Sequence, residues 1–166
     1  MQSDLVCLPL TTALGEFLAG YSAKGLARLN FPPPGGQSLP ARGEPSAEMQ
    51  RWHRQTIRAV NAVLAGKDAD VLPPLDLSAG TDFQRAVWQA MRRIRVGETR
   101  SYGEIARAIG NPKAVRAVGG ACGANPIPVL VPCHRVLAAN QKIGGFSGGL
   151  DWKRKLLECE GVVAAG

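Results

Sequence analysis

The chain has 166 residues, 45% hydrophobic and 20% charged, which excludes a disordered or fibrous polypeptide and leaves room for one domain or two small ones. No apolar run reaches the roughly 18 residues of a membrane helix, and MQSDLVCLPL lacks the basic flank of a signal peptide, so a cytoplasmic protein without membrane partners is expected. The net charge of +7 is lopsided: residues 1–80 carry seven Lys/Arg and seven Asp/Glu, residues 81–166 thirteen and six. A basic half fits a polyanionic partner, since Lys and Arg that neutralise phosphates supply most nonspecific nucleic-acid affinity; a solvated basic surface would carry the same charge.

The cysteines, Cys7, Cys122, Cys133 and Cys159, form no CxxC pair, and the only histidines are His53 and His134. That suits neither a disulfide scaffold nor the closely spaced ligands of a zinc site, and no metal or cofactor is expected. Cys7, Cys122 and Cys159 read as small core residues. Cys133 has to be judged by its neighbours.

In chain order, residues 14–31, LGEFLAGYSAKGLARLNF, are two apolar-rich runs separated by Ser22 to Gly25 and predict a β-hairpin. PPPGGQSLPARGEPS predicts a long exposed loop. Residues 47–65 predict a helix, with Trp52, Ile57, Val60 and Leu64 near a helical period. VLPPLDLSAG then reads as an interdomain linker, giving an N-terminal α/β domain at 1–75 and a C-terminal domain at 76–166. The first domain shows no catalytic constellation, and His53 is expected at its surface or in packing.

In the second half, Thr81 with Gln84 makes a capping box ahead of FQRAVWQAMRRI, where Phe83, Val87, Met91 and Ile94 mark an amphipathic helix. Ser101 with Glu104 opens another in SYGEIARAIG, with Ile105 and Ile109 on the buried stripe and Gly110 at its end. Asn111 is placed to cap a third helix whose first position is Pro112. Two short helices across a tight Gly-Asn turn suggest a helix-turn-helix.

On the second helix of this pair, Val115 and Val118 are expected inward. Lys113 and Arg116 are expected to share the outer face, flanked by Ala114, Ala117, Gly119, Gly120 and Ala121. Such a surface offers little for reading bases; it suits close approach to DNA with one long side chain, Arg116, able to enter the stack or groove. Small residues that merely allow tight helix packing would look the same.

PIPVLVPCHRVL follows. Asn125-Pro126 ends the helix, PVLV predicts a short buried strand, and Pro132 interrupts its pairing. Cys133 and His134 fall where that strand breaks down, and a neighbouring base can lower a thiol from about 8.5. On an extended segment adjacent side chains point to opposite sides, so contact between the two is not ensured.

GTDFQRAVW (80–88), GETRSYGEIA (97–106), NPKAVRAVGGACGANPIPVLVPCHRV (111–136), GGFSGGLDWKRKLLECEG (144–161) and above all PCHR resemble the O6-alkylguanine-DNA alkyltransferases, also called methylated-DNA–protein-cysteine methyltransferases. The likeness covers essentially the whole second half and, more weakly, the hairpin. It implies an α+β fold: a small N-terminal α/β, ribonuclease H-like domain, then a mostly helical domain with a winged helix-turn-helix-like DNA-binding unit.

It also implies direct-reversal repair. An alkyl group would pass irreversibly, once per protein, from O6 of a flipped guanine in duplex DNA to Cys133, with O4 of thymine a candidate second substrate. His134 would act as base through an ordered water, oriented by Glu160. Tyr102 would protonate N3 of the leaving guanine and rotate the 3′ phosphate. Arg116 would fill the gap left by the flipped base, and Asn125 would hold the recognition helix against the active-site segment. Val136, Ser147 and Gly148 would bind the guanine, with GGFSGG as a loop over the pocket. Lys113, Ala117, Arg116 and Tyr102 would meet double-stranded DNA through the minor groove, the protein acting as a monomer.

Phe146 stands where many members have tyrosine. The first half lacks a Cys/His cluster for the structural zinc of some members, and a stand-alone form without the modules of the bacterial adaptive-response fusion is expected. Noncatalytic alkyltransferase-like binders replace the PCHR cysteine, usually with tryptophan, so Cys133 speaks against that class. A helix-turn-helix regulator would need a base-reading surface that is not visible.

Overall fold

The structure, a computed structural model, describes residues 4–144 and 149–164. An antiparallel sheet comes first, β1 (Val6–Thr12), β2 (Gly15–Ser22) and β3 (Gly25–Asn30), in that spatial order. The expected hairpin is β2–β3, closed at Ser22↔Gly25. The sequence reading missed β1, whose Pro9 argues against a strand; β1 is an edge that pairs in full only with β2, where a missing donor is tolerated.

Phe17, Ala19 and Tyr21 alternate along β2 and are all buried. Over this sheet lies α1 (Ala47–Leu64), whose first turn is capped by the Ser46 hydroxyl accepting from Met49 N at 3.1 Å. It buries Trp52, Thr56, Ala59, Val60 and Val63. His53 is a packing residue, with Nδ1 2.7 Å from the Tyr21 hydroxyl and Nε2 2.9 Å from the Pro9 carbonyl.

The stretch read as a linker is pinned to β3: Leu26 N donates to Pro74 O at 2.8 Å and Asp76 N to Leu26 O at 2.7 Å. One apolar cluster runs from Leu10 and Phe17 through Trp88 and Val118 to Leu156, so both halves share a core.

Both capping boxes are formed, Thr81–Gln84 at α2 (Asp82–Met91) and Ser101–Glu104 at α3 (Tyr102–Ala108). The two-residue strand β4 (Arg100–Ser101) runs straight into α3, and α4 (Val115–Gly123) packs on both α2 and α3. Trp88 Nε1 donates to the Ala121 carbonyl at 2.8 Å, tying α2 to α4.

Four expectations about α4 are corrected. It is not capped by Asn111 and does not begin at Pro112; it begins at Val115 after Ala114, with no side-chain cap. Residues 111–114 instead make a turn in which Ala114 N donates to Asn111 O at 3.0 Å, with proline at the second position that such turns favour. Lys113 therefore lies on that turn rather than on a helical face with Arg116, and Val115, at 42% exposure, points outward while Val118 is buried.

PVLV is not a strand. Residues 128–130 form a turn closed by Val131 N donating to Ile127 O at 2.9 Å, with Val129 at a φ of 75° that β-branched residues rarely adopt. The run is buried as expected, but among the described residues no strand pairs with it. The strand in this region is β5 (Val136–Leu137), parallel to β4 through Arg100↔Val136 and Ser101↔Leu137.

The last helix, α5 (Leu150–Cys159), brings Trp152 onto the N-terminal sheet, stacked on Phe31 at 4.8 Å and edge-on to Phe17 at 5.6 Å between ring centroids. Cys122 is buried, but Cys7 and Cys159 are only half-buried, so they are not core residues. No helix among the described residues is long and apolar enough to cross a membrane.

Candidate active site

Cys133, His134 and Arg135 form a buried 3-10 turn rather than an extended segment. At three residues per turn, neighbouring side chains diverge by about 120°, so Cys133 and His134 still do not face each other. Asn125 braces the approach: its Nδ2 donates to Val131 O at 2.7 Å and its Oδ1 accepts from Ile127 N at 3.0 Å, joining the end of α4 to the segment before the cysteine.

Burial pushes the Cys133 thiol up to about 11, against the opposing pull of the Asn125 side chain and the Lys153 charge. At rest it is a thiol. Burial lowers the proton affinity of His134, with Glu160 pulling the other way, so the imidazole is neutral near pH 7.

His134 Nε2 lies 2.7 Å from Glu160 Oε2, which requires the ring proton on Nε2 donating to the carboxylate. Nδ1 is then an acceptor, buried and, among the described residues, without a hydrogen-bond partner. Burial alone would raise the Glu160 carboxyl, but hydrogen bonds from His134 and Arg135 hold it below the usual carboxylate range.

Tyr102, the first residue of α3, is delivered to the same place by the β4–β5 ladder. A Cβ added at Gly144, whose φ is 70°, would stand 2.8 Å from the Tyr102 hydroxyl. Val136 is buried in β5 immediately after the turn. Cys133, His134, Glu160, Asn125, Tyr102 and Val136 thus gather around one turn, while Ser147, Gly148 and Phe146 lie outside the described residues.

Arg116, Ala117 and Lys113 are elsewhere, exposed on α4 and the turn before it. Cβ atoms added at Gly119, Gly120 or Gly123 would meet nothing within 4 Å, so internal packing does not require these glycines. A cavity of about 410 Å³ between α2 and α3, lined by Ala90, Arg93, Ile105 and Ile109 among others, contains none of the candidate residues.

Two residues escaped the sequence reading. Arg135 forks onto Glu160 through Nε and Nη2, both at 2.8 Å, and Nη1 donates to Ile94 O at 2.6 Å. Lys153 is fully buried and donates from Nζ to Val136 O at 2.8 Å. A signal existed for Lys153: with Leu156, Leu157 and Glu160 it has the i, i+3, i+4, i+7 spacing of one helix face. Among the described residues no group of three or more His, Cys, Asp or Glu could hold a metal ion.

Residues 82–162 match the family model described as 6-O-methylguanine DNA methyltransferase, DNA binding domain. A methylated-DNA–protein-cysteine methyltransferase of Methanosarcina acetivorans is 44% identical over 151 residues, 89% of this chain and 93% of that one. Mycobacterium tuberculosis OGT, solved in complex with DNA, is similar with a TM-score of 0.75 and 40% identity over 92% of this chain and 90% of that chain. The O6-methylguanine-DNA methyltransferase of Pyrococcus kodakaraensis gives a TM-score of 0.66 at 27% identity, covering 95% of this chain and 99% of its own.

Proposed function

The chain belongs to the methylated-DNA–protein-cysteine methyltransferase family, and from that membership we propose that it repairs alkylated duplex DNA by direct reversal, with Cys133 as the acceptor. The observation that carries the reading is a buried thiol followed directly in the chain by a histidine locked on Glu160 through Nε2, whose acceptor Nδ1 has no partner among the described residues.

The chemistry starts from a neutral pocket. Making a thiolate at pH 7 from a group near 11 costs roughly 5 kcal/mol, so the proton must be taken as the substrate settles. It passes through a water to Nδ1 of His134, and the imidazolium is stabilised by the carboxylate already bound to Nε2. The thiolate attacks the alkyl carbon on O6 of a flipped guanine. The S–C bond forms, the C–O6 bond breaks, and the electron pair stays on the base, where Tyr102 supplies a proton to N3. The thioether does not turn over, so each protein molecule repairs one lesion.

DNA approaches through the outer face of α4. Its unconstrained glycines and Ala117 allow a close approach in the minor groove, Arg116 fills the gap left by the flipped base, and Lys113 adds a phosphate contact. Val136, Ser147 and Gly148 bind the guanine edge, and Asn125 holds α4 against the cysteine turn. On the same ground we propose a ribonuclease H-like unit at 1–75 and a winged helix-turn-helix-like unit within 76–166, the protein acting as a monomer in the cytoplasm.

Incubation with duplex DNA containing O6-methylguanine is expected to add one methyl mass to the peptide carrying Cys133 and to leave Cys133→Ser unmodified. DNA binding without any mass gain in the wild type would sink the repair reading.

A further inference from the structure

We infer that Lys153 is a positioning residue of the transfer reaction: its ammonium, held against the Val136 carbonyl and beside the Tyr102 ring, offsets the negative charge that Cys133 and then Tyr102 carry. The inference rests on the transfer reading above.

Lys153 sits in the first turns of α5, on the buried face shared with Leu156, Leu157 and Glu160. Lysine is almost never fully buried unless its charge is used or matched, because taking an ammonium out of water is costly. Among the described residues, four elements face it: the cysteine turn, α4, α3 and β5. From the cysteine turn, Cys133 and His134 both feel its charge; from α4, Cys122 does. From α3 the Tyr102 ring lies with its centroid 5.9 Å from Nζ. The bond to Val136 O, at 2.8 Å, anchors the ammonium three residues beyond the nucleophile.

The negative charge in the reaction moves between these same neighbours. When the Cys133 S–H proton goes to His134, the pocket gains a thiolate. When sulfur takes the alkyl carbon, Cys133 becomes a neutral thioether and the C–O6 electron pair remains on the base. When Tyr102 gives its proton to N3, the charge ends as a phenolate. One fixed cation, anchored on the Val136 carbonyl and near the Tyr102 ring, lowers the energy of each stage without reorganising, as preorganised electrostatic groups do. Lys153 touches neither the alkyl carbon nor the leaving group.

Burial brings the Lys153 ammonium down to about 8. Its charge is therefore present below that pH and lost above it, whereas ionisation of the thiol alone would make transfer faster as pH rises. The test is the single-turnover rate of alkyl transfer within the protein–DNA complex at saturating O6-methylguanine duplex, from pH 6 to about 9.5, with DNA affinity followed in parallel by fluorescence anisotropy.

The wild-type rate is expected to pass through a maximum and fall above about pH 8. Lys153→Met is expected to lose roughly 10²-fold at pH 7 and to lose the falling limb, while Lys153→Arg retains most of the rate and shifts the fall to higher pH. A wild-type rate that keeps rising to about pH 9.5, or a folded Lys153→Met with the wild-type rate and profile, overturns the inference. If Lys153→Met does not fold, the wild-type and Lys153→Arg profiles decide. A wild type that never gains alkyl mass overturns the transfer reading itself; a competent wild type with a monotonic profile overturns only the role of Lys153.

Discussion

Arg135 and Glu160 are joined by a two-point fork, Nε to Oε1 and Nη2 to Oε2, each at 2.8 Å and buried. The carboxylate that orients His134 is thus itself held by the next residue in the chain, and Nη1 ties the group to the Ile94 carbonyl beyond α2. Removing the guanidinium leaves a buried carboxylate with one donor instead of three. Arg135→Met is expected to destabilise the fold by about 3–5 kcal/mol, as breaking one side of a buried ion pair does, read from urea midpoints at neutral pH. A loss below about 1 kcal/mol would mean that water reaches Glu160 and that the fork is not what holds it.

The same cluster sets an acid limit. Glu160 and His134 both have proton affinities below their ordinary values. A group depressed in the folded state contributes stability that is complete above its unfolded pKa and is lost as pH falls through the folded one. Stability should therefore decline from about pH 6.5 downward as the unfolded histidine takes up a proton, and further below about 4.3 as the carboxylate does. Denaturation midpoints that stay flat from about pH 6.5 to 5 would show that His134 is not buried neutral.

Gly144 and Tyr102 form a second close relationship. A methyl group at Gly144 meets both a φ of 70° and the tyrosine hydroxyl at 2.8 Å. Gly144→Ala is expected to cost about 1–3 kcal/mol and to slow alkyl transfer by displacing the hydroxyl. In a Tyr102→Phe background the steric part disappears, so the two changes should be non-additive by about 0.5 kcal/mol or more in a double-mutant cycle. Simple additivity would mean that the tyrosine moves aside at no cost.

On α4 the expected effects on stability and binding have opposite signs. Gly120 lies in open space on a helix, so Gly120→Leu should raise stability by up to about 1 kcal/mol through helix propensity. If that face lies against DNA, the same change should weaken duplex binding by about tenfold or more, measured by anisotropy at fixed salt. Arg116→Ala should leave stability unchanged and slow transfer from duplex DNA while sparing reaction with the free alkylated base, which needs no flipping. Undiminished DNA binding by Gly120→Leu would place the interface elsewhere.

Much of the C-terminal half was legible because its signals are local. Both capping boxes are satisfied within four residues, and the spacing of Val87, Met91 and Ile105 reports burial directly. The failures have local causes too. Pro112 reads equally well as a helix start or as the second residue of a turn, and the turn prevails. Pro9 hides β1, because proline argues against strands without saying which edge is free.

The amino-acid sequence by itself determined α2 and α3 with their capping boxes, the helix near 47–65, the β2–β3 hairpin, the basic asymmetry and the PCHR likeness that singles out Cys133. Each of these depends on neighbouring residues or composition. Only the tertiary structure decided that buried PVLV is a turn, because an apolar run shows that a segment is inside and not which backbone will pair with it. It also decided that Arg135 shares Glu160 with His134 and that Lys153 stands against Val136. Those contacts span 25, 26 and 17 residues, and burial of charge is favourable only where such distant partners have been brought together.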